Sequence, residues 1–188
     1  MMEKSSKFLS FSGLSGIIAG IIAVAGAAFA YFYLLRDPSL TDFNHKQEIG
    51  ILLADALAVL ILSIGVCLWL SYRKAHKRHQ KLWNSAARRA LYNLSIPLIA
   101  GGIFSLVFLL RGNIQIVASA TLIFYGLALV NASKYTFEEI HYLGITEIIL
   151  GLLAAVTMCY GILFWTLGFG LCHIVYGLAM YYKYDRKK

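Results

Sequence analysis

Three ionisable residues interrupt long apolar runs: Glu147, His173 and Asp55. Charge inside a hydrocarbon environment is costly and often marks function. Glu147 falls near the middle of the fifth apolar run and His173 near the middle of the sixth. The connection between those runs is tight, so the two side chains can meet. A carboxylate beside an imidazole can share a proton or hold a cation, or it can simply lock helix register as a buried polar pair. Asp55 lies about two helical turns inside the outer end of the second run. Arg111 or Arg36 is its expected partner there; facing an outward vestibule instead, it would favour cations.

These residues must be positioned by helices in a membrane. Of 188 residues, 60% are hydrophobic and 14% charged, against roughly 25% charged in an average soluble domain. Six runs are long enough to span a bilayer: Phe11–Leu35, Ile49–Tyr72, Leu94–Leu110, Ile114–Asn131, Phe137–Tyr160 and Leu163–Tyr182. The predicted fold class is therefore an all-α integral membrane protein, a single transmembrane domain of six helices. Short connections at Arg111–Asn113, around Ser133 and at Gly161–Ile162 make the last four helices antiparallel neighbours. The first run could be a cleaved leader with Ala28-Phe29-Ala30 as its site, but it continues well past that point.

The basic residues set the orientation. Lys4, Lys7, Arg73, Lys74, Lys77, Arg78, Lys81, Arg88, Arg89, Lys134, Lys183, Arg186, Lys187 and Lys188 fall on one side, and only Arg36, Lys46 and Arg111 on the other. A split of 14 to 3 puts both termini and the basic connection 73–92 in the cytoplasm, in the inner (plasma) membrane. Of the connection's residues, Arg73, Lys74, Lys77, Arg78, Lys81, Arg88 and Arg89 can contact anionic lipid head groups. The +8 charge is confined to short connections, which argues against a nucleic-acid partner.

The remaining polar clusters have plain explanations. Cys67, Cys159 and Cys172 lack metal or disulfide spacing and pack as small hydrophobes. Thr136-Phe-Glu-Glu139 fits a capping box at the start of the fifth helix. Glu138 and His141 share a helix face, but two ligands are too few for zinc. No nucleophile elbow, phosphate loop or zinc helix is present, so no catalytic residue, metal or cofactor is assigned.

The chain also resembles itself. Ile123-Phe-Tyr-Gly-Leu-Ala-Leu129 matches Ile174-Val-Tyr-Gly-Leu-Ala-Met180, and Leu98-Ile-Ala-Gly-Gly102 lies over Glu147-Ile-Ile-Leu-Gly151. Residues 94–135 and 143–184 therefore read as two parallel copies of one helical hairpin. Ile17-Ile-Ala-Gly20 and Gly65 extend the pattern more loosely to a first copy. Glu147 then occupies the place of Leu98, and His173 the place of Leu122. Small residues at four-residue spacing (Ser12, Gly16, Gly20; Ala19, Ala23, Ala27) form close-packing faces within the bundle or in a homo-oligomer. Pro97 followed by Gly101-Gly102 should bend the third helix.

Hairpins with a glycine early in the first helix and a Tyr/Ile-Gly step late in the second resemble the small six-helix bacterial membrane proteins of the HdeD type, over about residues 94–184. That resemblance implies a link to acid-stress resistance without a defined catalytic site. The basic connection and the Tyr-rich tail lie outside it, and it assigns no functional residue. The sequence thus favours a non-enzymatic interaction, assembly or stress-protection role. The alternative is a transporter or channel for a proton, a cation or a small apolar solute, using Glu147, His173 and Asp55.

Overall fold

The computed structural model describes residues 13–32, 46–77, 83–157 and 159–186, with side chains from residue 50 onward in the second segment. Among the described residues all regular structure is helical. Six helices are long and apolar enough to cross a membrane. They are α1 (Gly13–Ala30), α2 (Lys46–Lys77), α3 (Ser85–Leu110), α4 (Ile114–Ser133), α5 (Glu138–Thr157) and α6 (Gly161–Asp185). The expected ends at residues 11–12 and 33–35 lie outside the described residues.

The apolar runs underestimate α2 and α3. Much of the expected connection 73–92 is helix, because α2 continues to Lys77 and α3 begins at Ser85. Basic residues are good helix formers, so the helices outlast their apolar stretches. Asn84 starts α3: its side-chain oxygen accepts the Ala87 N–H at 2.8 Å, satisfying a donor that the first turn leaves open. The α3–α4 turn closes on Gly112, whose φ of +78° suits a residue without Cβ. Its N–H reaches the Leu109 carbonyl and that of Asn113 reaches Phe108, a Schellman arrangement.

Pro97 lies inside α3. It has no N–H to give the Asn93 carbonyl one turn back. That carbonyl instead accepts Asn131 Nδ2 of α4 at 3.1 Å, so the defect becomes an interhelical bond.

Packing runs α3, α4, α5, α6, α1, α2. As the short connections predict, α3–α4, α4–α5 and α5–α6 are neighbours. In addition α6 lies against α1, which also carries α2; among the described residues α2 and α3 have no packed interface. Two of these crossings are built alike. A methyl on Gly126 would lie 2.7 Å from Ile148 Cγ1, and one on Gly151 2.6 Å from Ile123 Cγ1. Between α6 and α1, a methyl on Gly177 would lie 2.9 Å from Ile17 Cγ1, and one on Gly20 2.7 Å from Ile174 Cγ1. In each crossing an isoleucine of one helix covers a glycine of the other, reciprocally. Glycine lets the backbones approach closely enough for dispersion to act where lipid gives no hydrophobic drive.

One end of the bundle is tied by Asp185. Its carboxylate accepts the Gly13 N–H of α1 at 2.9 Å and pairs with Lys74 of α2 at 2.8 Å. Both side chains are largely enclosed, so the pair joins α1, α2 and α6 where their ends meet. Asp185→Ala is expected to destabilise the fold by about 3 kcal/mol, as when one partner of a buried pair is removed. Lys183→Ala removes an amine that is exposed and should change little. Thermal unfolding in detergent checks this, and equal midpoints for the two variants would count against the role given to Asp185.

Candidate functional site

The sequence placed Glu147 and His173 at similar depth, and the structure brings them together. Glu147 extends from α5 and is 0% exposed. His173 Nδ1 lies 3.4 Å from its Oε1. The same ring nitrogen is 3.0 Å from the Gly168 carbonyl of its own helix. A carbonyl only accepts, so Nδ1 carries the hydrogen. The other ring nitrogen, Nε2, is 2.8 Å from the Tyr125 hydroxyl of α4. Three helices thus meet at an acid–imidazole–phenol chain.

The carboxylate end of that chain is under-satisfied. Neither Glu147 oxygen makes a hydrogen bond, although buried polar groups nearly always do. Gly168 and the fully buried Leu122 close over it; any side chain at 168 would overlap Glu147 Oε2. Phe169 stacks on the His173 ring with centroids 5.9 Å apart and packs against Tyr125 at 4.9 Å. Apolar walls keep the local dielectric low, which strengthens charge–charge terms and raises the cost of an unpaired charge.

The backbone beside the pair is unusual. Within α6, Thr166–Cys172 is π-helical and hands over to α-helix at His173. Single wide turns of this kind occur often at functional sites. This one includes Gly168, which makes room for Glu147, and it ends at the histidine. The hydrophobic pattern announces neither the wide turn nor the role of Tyr125. Tyr125 was visible only as a position of the Tyr-Gly step shared with Tyr176, with nothing to mark it as a partner of His173.

Other predicted positions fall elsewhere. Asp55 sits on α2 against α1, its Oδ1 3.5 Å from where a methyl on Gly26 would stand. It forms no ion pair with Arg111, which is exposed at the end of α3. The expected pairing fails because α2 packs on α1 and α3 on α4. Arg36 lies outside the described residues.

The capping box does not form. Thr136 is buried and its hydroxyl makes no hydrogen bond. Glu139 turns to α6, with Lys183 Nζ at 2.5 Å and the Tyr184 hydroxyl at 3.1 Å. Among the basic residues, Lys74 is committed to Asp185 rather than to lipid. Arg73 lies over the Trp69 ring at 4.9 Å and is exposed, as are Lys77, Arg88 and Arg89. Arg78 and Lys81 lie outside the described residues.

Six helices long and apolar enough to cross a membrane, three of them joined at one buried acid–imidazole–phenol chain, form a bundle of the multi-pass helical membrane class. No protein family, curated protein or solved structure matches the chain.

Proposed function

We propose that this protein is a non-enzymatic component of the inner (plasma) membrane whose bundle is held by a buried polar joint at Glu147, His173 and Tyr125. Both termini lie in the cytoplasm on this reading, supported by the 14-to-3 distribution of Lys and Arg. The role is interaction, assembly or stress protection, the last being what the hairpins' resemblance to HdeD-type proteins implies. One observation carries the proposal: a fully enclosed carboxylate, with no hydrogen bond to either oxygen, 3.4 Å from an imidazole.

Leu122, Phe169 and Gly168 enclose the pair, and a charge left there without its partner is expensive to bury. The contact therefore ties α5 to α6, and the Tyr125 hydroxyl on His173 Nε2 extends it to α4.

The expected result is a lower thermal midpoint in detergent for His173→Asn than for the parent. A parent-like midpoint in that variant would sink the joint. A proton or cation flux into liposomes that Glu147→Gln abolishes would instead install the transport reading through Glu147, His173 and Asp55.

The exposed Arg73, Lys77, Arg88 and Arg89 are proposed to hold anionic lipid head groups at the cytoplasmic surface. Replacing all four with Gln should reduce the phosphatidylglycerol that co-purifies with the protein. Unchanged lipid would remove this role.

A further inference from the structure

The two alike crossings leave a third one unmade. Ile123 and Gly126 of α4 meet Ile148 and Gly151 of α5; Ile174 and Gly177 of α6 meet Ile17 and Gly20 of α1. Each second helix of a hairpin thus docks on the first helix of the next. By the same alignment α2, a second helix, offers Leu62 and Gly65. The first helix α3 offers Ile99 and Gly102.

These two half-interfaces are unused. A methyl on Gly65 or on Gly102 would meet nothing within 4 Å. Leu62 is 56% exposed and Ile99 62%, whereas the glycines of both formed crossings are buried. Among the described residues α2 and α3 do not pack on each other. The chain therefore carries one free half of each kind, complementary by the same rule that builds its own core.

We propose that the occupant is a second copy of this chain: α2 of one copy docks on α3 of the other, and α3 on α2 in return. Leu62 would cover Gly102 of the second copy and Ile99 would cover its Gly65, repeating the reciprocal isoleucine-on-glycine contact with Leu62 in one isoleucine's place. A two-fold axis along the membrane normal makes both contacts equivalent and leaves no half unfilled. It also keeps the crossing helices antiparallel, as they are within the chain. A lipid could cover these faces, but mobile acyl chains gain nothing specific from a glycine placed opposite a branched side chain. The inference uses neither Glu147 nor His173, so it stands or falls apart from the buried polar joint.

The test uses the full chain reconstituted in liposomes. In a background with Cys67, Cys159 and Cys172 replaced by Ala, Leu62→Cys and Ile99→Cys are introduced together and oxidised. A dimer-sized band on a non-reducing gel is expected. A band that stays monomeric, whether closed within one chain or not cross-linked, overturns the proposal. Gly65→Leu with Gly102→Leu is the companion variant. Because both sites are open in the single chain, its fold should persist, seen as an unchanged far-UV circular dichroism spectrum. Photobleaching in bilayers should change from two steps per particle in the parent to one in the variant. Single-step bleaching of the parent, or two steps retained in the variant, refutes the second-copy assignment.

Discussion

His173→Leu is expected to destabilise the bundle by about 3–5 kcal/mol at neutral pH, the usual loss when one member of a buried charged pair is removed. Glu147→Leu should cost clearly less. The asymmetry follows from what each variant leaves behind. Without His173, the enclosed Glu147 has no polar neighbour at hydrogen-bond range, since its oxygens make no hydrogen bond even in the parent. Tyr125 also loses its hydrogen-bond partner. Without Glu147, both ring nitrogens of His173 keep their partners, Gly168 O and the Tyr125 hydroxyl. The double Leu variant should recover most of the loss, because two apolar side chains of fitting size replace the pair. The proposed repeat already holds leucine at the corresponding positions, Leu98 and Leu122. Unfolding free energies of the four proteins give the coupling directly. Equal losses for the two single variants, or losses that simply add in the double, would show that the pair does not act as a unit.

That Glu147 and His173 could meet was legible because two lone polar residues on tightly joined helices have few other places to go; that they do pair was not, since it depends on which helix faces turn together. The six spans were legible because apolar length is a one-dimensional property. Other contacts depend on which helices become neighbours in three dimensions. Arg111 or Arg36 suits Asp55 in the sequence because all three sit toward the outer face, yet helix order, not depth, decides whether Arg111 can reach it. Asp185 lay unnoticed in a polar tail, since nothing in Tyr-Asp-Arg signals that α1 starts beside it. Thr136-Phe-Glu-Glu139 carries a sound local capping signal, and the tail overrides it by offering Lys183 and Tyr184 to Glu139. The wide turn before His173 has no sequence rule to find it; Gly168 and Gly170 only permit it.

Gly126→Leu and Gly177→Leu are expected to prevent stable assembly of the bundle, with losses of about 3 kcal/mol or more, at or beyond the upper end of ordinary overpacking. What they collide with is the reason. A methyl on Gly126 lies 2.6 Å from the Gly144 carbonyl oxygen and 2.9 Å from the Ile148 nitrogen. On Gly177 it lies 2.5 Å from the Ile17 nitrogen and 2.8 Å from the Gly13 carbonyl oxygen. These are backbone atoms, which no rotamer change can move aside. The alanine variants make the sign informative. Inside a helix, Gly→Ala alone should stabilise by roughly 0.5–1 kcal/mol, so a net loss isolates the cost of the close approach. Gly50→Ala supplies the contrast, because a methyl there meets nothing within 4 Å and should leave the midpoint equal or higher. Since both glycines bury the same kind of contact, their alanine losses should agree within about 1 kcal/mol if the crossings are equivalent. A large loss at one position with none at the other would mean that α4–α5 and α6–α1 are alike in outline only, and the case for a third such crossing would weaken with them.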